Sequence, residues 1–235
     1  ISAISTTNCP MNSPADKPYY IVPTCHERVG TLFRDEHILL VNKPAYLLSV
    51  PGRAPENQDC AVRRLARKDP DIRLVHRLDL DTSGIMVFAL TRPAQSQLSR
   101  LFQQRTVKKR YQAVVHGLVE RERGSIELPL IPDWPNRPMQ KVCYDTGKAA
   151  LTHYQVLERD IVGNRTRLAL SPVTGRSHQL RIHCRELGHP IIGCDMYAPA
   201  EIEALSPRLL LHAEWLAFNH PITGLWQEFT SPCPF

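Results

Sequence analysis

Three segments of the sequence concentrate polar and charged side chains beside apolar runs, where a protein core would not need them. The first, residues 76–84, reads HRLDLDTSG and leads into the apolar run 85–90. A carboxylate in a turn that feeds a core strand is held rigidly, as a nucleophile or a general base must be. The plain alternative is an Asp/Thr/Ser turn that caps local backbone groups. Spacing alone leaves both interpretations open and favours the turn.

The second segment, residues 108–111, reads KKRY and places Tyr111 behind three cations. Residues 107–117 alternate with a period of two, which predicts a strand. Taken alone, this pattern favours a core tyrosine flanked by lysines whose ammonium groups reach solvent.

The third segment, residues 174–183, reads TGRSHQLRIH. A helix over residues 177–187 would present one face with His178, Arg181 and Arg185 and another with Leu180, Cys184 and Leu187. One face would pack while the other reaches a ligand. Arg176 would lie by the helix N-terminus, a natural place for a phosphate. The chain has ten histidines but neither His-x3-His nor His-Glu-x-x-His, so no metal site is predicted.

Short strands and a few helices must position these segments. Strands are predicted at 32–33, 38–41, 47–50, 85–90, 107–117, 126–131, 151–157, 166–173, 209–218 and 225–230, and helices at 59–68 (capped by Asp59), from Pro93 onward, and at 177–187. Residues 132–148 are expected to form an ordered loop, and loops of this length are often functional. The resulting fold class is α+β, with a mixed, mostly antiparallel sheet and a few flanking helices.

Charge and composition narrow the function classes. The 235 residues carry 29 Lys+Arg against 23 Asp+Glu, a net charge of +6, and the basic residues cluster at 63–68 and 100–110, which suits a polyanionic partner. Solvated helix faces would explain such clusters equally well. No run of 18 apolar residues occurs, so a membrane span is excluded.

Seven cysteines without a Cys-x-x-Cys pair indicate reduced thiols and a cytoplasmic protein. Residues 1–18, rich in Ser, Thr, Asn and Pro, are expected to be a disordered leader, with Met11 as an alternative start to Ile1. Residues 19–235 are expected to form one domain.

The three segments, in this order, resemble the motifs of the RluA-type RNA pseudouridine synthases: HRLDxxTSG, KxYxAxVxG and TGRxHQLRxH. The similarity covers about residues 30–232, and segments 50–53 and 133–144 resemble the member that modifies both tRNA and large-subunit rRNA. The resemblance implies a single pseudouridine synthase domain with an RNA-binding cleft. Some relatives carry an extra N-terminal S4 RNA-binding domain, for which we expect no room in this chain.

The resemblance also implies a reaction and roles for residues. Uridine is isomerised to pseudouridine without a redox change and therefore without a cofactor. Asp79 would be the essential carboxylate, by attack on the sugar or by a glycal route. Arg181 would keep Asp79 ionised, since a nearby arginine lowers a carboxylate pKa by about 1 to 3 units. Tyr111 would stack on the uracil and help to remove the C5 proton.

Substrate binding follows from the same resemblance. The uridine would flip out of a tRNA or rRNA stem-loop, with Arg77 filling the gap, Leu180 lining the pocket, and Lys108, Lys109, Arg176 and His178 binding the RNA. We expect a monomer without an obligatory protein partner. A catalytically inactive RNA-binding protein on the same fold is the alternative function. A nucleosidase or glycosidase is a further alternative, but it would usually present two carboxylates about 5 to 10 Å apart.

Overall fold

A ten-stranded sheet organises residues 20–235, the part of the chain that this computed structural model describes; the leader predicted at residues 1–18 lies outside it. The strands are β1 Gly30–Arg34, β2 Ile38–Lys43, β3 Arg73–Leu74, β4 Ser83–Ala89, β5 Lys108–His116, β6 Arg123–Glu127, β7 Leu130–Pro132, β8 Gln140–Val142, β9 Leu151–Asp160, β10 Arg165–Pro172, β11 Leu211–Asn219 and β12 Trp226–Thr230. The sheet order is β1-β2-β4-β11-β5-β10-β9-β6, with β3 on β4 and β12 on β11. β7 and β8 form a separate hairpin.

The sheet is mixed and mostly antiparallel, because β4 and β11 run parallel while the other pairings are antiparallel. The predicted fold class is therefore confirmed. Four helices accompany the described strands: α1 Ala61–Ala66, α2 Arg92–Gln103, α3 Gln179–Glu186 and α4 Ala200–Glu203. Within residues 20–235 no helix has the length and apolar character needed to cross a membrane.

β4 is buried along its whole length because both of its faces are covered. Ile85 and Val87 belong to a core that also contains Leu98 of α2. The alternate residues, Met86 and Phe88, belong to a second core that contains Ala61 of α1. The Asp-bearing turn just before β4 is therefore attached to a strand that is buried along its whole length.

A third core joins β5, β9 and β10 to α3, with Val115, Leu168 and Ile182 fully buried in it. Tyr111 packs against this third core and also against the one around α1. Tyr111 therefore lies between the two cores, opposite Ala213 of β11, which in turn pairs with Gly84 at the start of β4.

Several local predictions were wrong. Residues 47–50 form no strand beyond a single bridge between Leu48 and Cys60, because the buried ammonium of Lys43 takes the Leu47 carbonyl that a ladder would need. Asp59 does not cap α1. Its carboxylate instead accepts hydrogen bonds from Arg64, and Cys60 occupies the cap position without a side-chain bond.

Two more boundaries differ from the sequence-based expectation. The loop predicted at 132–148 contains most of the β7–β8 hairpin, and α4 was not anticipated. α3 starts at Gln179 rather than at residue 177, because His178 adopts a left-handed backbone conformation with φ of 54°. A non-glycine residue in that region is strained and marks a site where the surrounding structure imposes the geometry.

Candidate active site

A cavity of about 480 Å³ collects side chains from all three polar segments. Of the nine site residues predicted from sequence, eight line it: Arg77, Asp79, Lys109, Tyr111, Arg176, His178, Leu180 and Arg181. Lys108 does not, because successive side chains of a strand point to opposite faces and Lys109 is the one that faces the cavity. Lys108 is exposed at the start of β5.

The turn that carries Asp79 is clamped from both sides. His76 Nε2 accepts a hydrogen bond from the Val87 amide at 3.0 Å, and burial lowers the pKa of His76 to about 3, which keeps the ring neutral for this role. Ser49 Oγ donates to the carbonyl of Leu78 and accepts from its amide. These bonds hold the residues before Asp79 on β4.

Lys43 holds the other side of the same turn. Its fully buried ammonium donates to the carbonyls of Pro44, Leu47 and Leu80, at 2.8, 2.8 and 3.1 Å. Burial lowers the pKa of Lys43 to about 7, while three accepting carbonyls favour the form with three N–H bonds. The residue after Asp79 is thus tied to the end of β2.

The carboxylate of Asp79 itself is free. Among residues 20–235 it makes neither an ion pair nor a side-chain hydrogen bond; only its backbone carbonyl accepts one, from Thr82. Rigid backbone and an unengaged carboxylate together are what a nucleophile or base requires.

Tyr111 and Asp79 line the same cavity. Burial, with a smaller contribution from the negative charge of Asp79, raises the pKa of Tyr111 well above its ordinary value. The phenol is therefore protonated at neutral pH. Its ring offers a flat, partly buried surface in the lining.

Arg181 is the largest fully buried side chain in residues 20–235, with 1% of it exposed. Its guanidinium lies 3.7 Å from the Asp81 carboxylate, donates from Nη2 to Asp195, and donates from Nε to the Cys194 sulfur at 3.2 Å. The direct Arg181–Asp79 ion pair that we expected is absent from the described residues. Nη1 is buried and has no hydrogen-bond partner there.

Several ionisable groups surround the Arg181 guanidinium and affect its pKa. Burial works against its ionisation, yet Cys194, Asp195 and Asp79 together raise the pKa of Arg181. Burial and then the charge of Asp195 raise the pKa of Asp81, against the opposing effect of Arg181. Asp79 thus contributes to the field at Arg181 without touching it.

Tyr197, which no sequence pattern indicated, orients His178. The Gln140 amide can only donate, and it does so to Tyr197 Oη at 2.9 Å. Tyr197 Oη also forms a hydrogen bond with His178 Nδ1 at 2.6 Å. Burial lowers the pKa of His178, which favours the neutral ring. Tyr197 therefore fixes the orientation of a neutral ring that lines the cavity.

The opposite rim of the cavity is basic. Arg176 is fixed by a hydrogen bond from Nε to the Ala149 carbonyl, and Lys109 lines the same wall. Burial and the nearby Arg105 lower the pKa of Lys109. Within the described residues no group of three His, Cys, Asp or Glu side chains could hold a metal ion; catalysis without a metal stays a prediction.

Comparisons with known proteins all indicate the same enzyme family. Residues 37–186 match the family model described as RNA pseudouridylate synthase. The chain is 52% identical to the dual-specificity RNA pseudouridine synthase RluA of Pasteurella multocida, over 86% of this chain and 91% of that protein. It is 48% identical to the Escherichia coli K12 protein of the same name, over 95% and 97% of the two chains. Among solved structures, human RNA pseudouridylate synthase domain containing 1 superposes with a TM-score of 0.75 at 29% identity, covering 91% of this chain and 86% of that one.

Proposed function

Since the chain belongs to the RNA pseudouridylate synthase family, we propose that the cavity is the active site of an RNA pseudouridine synthase and that Asp79 is its essential carboxylate. The observation that carries the assignment is the unengaged Asp79 carboxylate on a clamped turn, facing Tyr111 and the buried Arg181. This enzyme is an isomerase.

The reaction needs a carboxylate and a stacking surface rather than an oxidant. The bond between ribose C1′ and uracil N1 breaks, the base turns, C1′ joins C5, the C5 proton leaves and N1 gains a proton. Asp79 either attacks C1′ or takes the C2′ proton on a glycal route. Both routes require a carboxylate without competing partners, and Asp79 has none among the described side chains.

Tyr111 has two roles: its ring binds the uracil, and its hydroxyl transfers a proton. Its ring stacks on the flipped uracil, while its protonated hydroxyl cannot serve as a base by itself. The hydroxyl accepts the C5 proton only as its own proton passes to a carboxylate, and Asp79 is the carboxylate whose charge reaches it. Tyr111 and Asp79 would therefore act in sequence on the base and the sugar.

Arg181 and the rim residues bind and orient. Nη1 of Arg181 forms the ion pair with Asp81 at 3.7 Å but makes no hydrogen bond, so it can donate one to Asp79 or to the substrate once the cavity is filled. Arg77 is exposed at the entrance, where it can occupy the space left by the flipped uridine. Leu180 packs against the base, His178 forms a hydrogen bond with the substrate, and Lys109, Arg176 and the outlying Lys108 hold phosphates.

The substrates would be stem-loops of tRNA and of large-subunit rRNA, in keeping with relatives described as dual-specificity enzymes. Net charge of +6 supports binding to such polyanions. We further propose that residues 19–235 form one catalytic domain that works in the cytoplasm as a monomer.

Asp79→Asn tests this function. It removes the charge and keeps the volume, so tritium release from C5-labelled uridine in a stem-loop RNA should vanish while RNA affinity persists. Asp71→Asn, at a carboxylate that is 87% exposed, is the matched control and should retain full activity. Tritium release by Asp79→Asn above a small fraction of the wild-type rate would remove Asp79 from the chemistry.

The same assay separates the alternatives. A wild-type protein that binds stem-loops without releasing tritium from any uridine would be the inactive RNA-binding protein. Free uracil in place of pseudouridine would identify a nucleosidase. We expect pseudouridine and no free base.

A further inference from the structure

The tip of the β7–β8 hairpin presents an exposed tryptophan. Trp134 is 66% exposed, and the guanidinium carbon of Arg137 lies 3.1 Å from the centre of its ring. A stacked guanidinium covers only one face of an indole, so the other face is open to solvent. Bases of unpaired nucleotides stack on aromatic rings and on arginine planes.

The tip is held in place before any ligand arrives. Asp133 pairs with Lys141 at 3.2 Å and accepts a hydrogen bond from the Asn136 side chain at 2.8 Å, and its amide donates to the Met139 carbonyl. The acidic charge of Asp133 is thereby compensated. Arg137 makes no ion pair with any residue that the structure describes, so the tip carries positive charge toward solvent.

The hairpin continues into the active site. The amide of Gln140 donates to Tyr197 Oη, and that hydroxyl contacts His178 in the cavity wall. Arg137 precedes Gln140 by three residues, a span of at most about 11 Å. A nucleotide on Trp134 would therefore lie within a few nucleotides of the uridine in the cavity.

We propose that the open face of Trp134, backed by Arg137, binds one unpaired base of the substrate RNA outside the catalytic cavity. The inference rests on the proposed RNA substrate. Flipping a uridine out of a loop leaves neighbouring bases without their stacking partners, and an indole replaces one of them. Because stacking tolerates any base, such a site suits an enzyme that accepts loops of different sequence.

The first test measures affinity and turnover separately. Trp134→Ala should weaken binding of a stem-loop RNA about 5- to 150-fold, the effect of losing one base stack, and should leave kcat at saturating RNA unchanged. Trp134→Phe should recover most of the affinity. Trp226→Ala is the matched control, because Trp226 is 50% exposed but lies on β12 rather than on the β7–β8 hairpin.

The second test locates the base. Abasic nucleotides are placed in turn at each loop position, and one position should cost the wild type as much affinity as Trp134→Ala does. At that position the variant should lose no further affinity. Equal additional losses at every position would refute a stacked base.

Tryptophan fluorescence tests the inference in a protein that keeps Trp134, so the result does not depend on whether Trp134→Ala folds. The chain has three tryptophans, so Trp215→Phe with Trp226→Phe leaves Trp134 as the sole tryptophan emitter. Stem-loop RNA should quench its fluorescence, and unquenched emission at saturating RNA would overturn the inference. If wild-type protein releases C5 tritium while Trp134→Ala binds normally, the stacking site fails and the catalytic assignment stands.

Discussion

Replacing Arg181 with methionine should destabilise the protein strongly, and the structure sets the size of the effect. The guanidinium is 1% exposed and lies 3.7 Å from Asp81, whose side chain is 13% exposed. Removing one partner of a buried ion pair costs about 3–5 kcal/mol, because the other charge stays buried without compensation. For a chain of this length each kcal/mol lowers Tm by about 2–4 °C, so Arg181→Met should lose roughly 6–20 °C.

The pH dependence of this loss has a definite sign. Burial already raises the pKa of Asp81, and removing Arg181 raises it further. The folded protein then binds a proton that the unfolded chain, with an ordinary pKa of 3.8, releases. The free energy of unfolding falls as pH rises through the folded pKa of Asp81. Lowering the pH through that pKa should therefore reduce the difference in the free energy of unfolding between Arg181→Met and the wild type.

A double variant separates stability from chemistry. Adding Asp81→Asn to Arg181→Met removes the uncompensated carboxylate, so part of the lost free energy of unfolding should return in urea titrations. Tritium release should not return, since Arg181 is proposed to act on the reaction. Additive losses in the double variant would show that Arg181 and Asp81 are not coupled. Recovered activity would remove Arg181 from the catalytic site.

Tyr111→Phe keeps the ring and loses the hydroxyl, so RNA affinity should persist while single-turnover tritium release slows. Tyr197→Phe removes the hydroxyl that orients the His178 ring; kcat should fall with little change in KM, and ¹⁵N NMR of His178 should report a tautomer population different from that of the wild type. Lys108→Ala should flatten the slope of log K against log salt by about 0.9 for every stem-loop, since a phosphate contact carries no sequence information. Arg77→Ala should slow extrusion of the target uridine, measured with a fluorescent base analogue beside it; flipping at the wild-type rate would leave Arg77 without a part in extrusion.

The amino-acid sequence by itself determined the fold class, most strands and many of the polar residues that line the cavity. The apolar run 85–90 and the alternation at 107–117 are local patterns, and local patterns predict strands because side-chain direction follows the backbone period. Eight of nine predicted site residues line one cavity, since they come from segments whose polar side chains have no place in a core.

Only the tertiary structure decided which side chains meet. Arg181 was expected to contact Asp79 and instead contacts Asp81, two residues further along the same segment, and Asp195, which follows α3. Tyr197 gained its role by reaching both a hairpin amide and His178. Such contacts join residues far apart in sequence, and their distances depend on strand order, on register and on where α3 begins. A sequence pattern reports neighbours along the chain, whereas ion pairs and hydrogen bonds depend on neighbours in space.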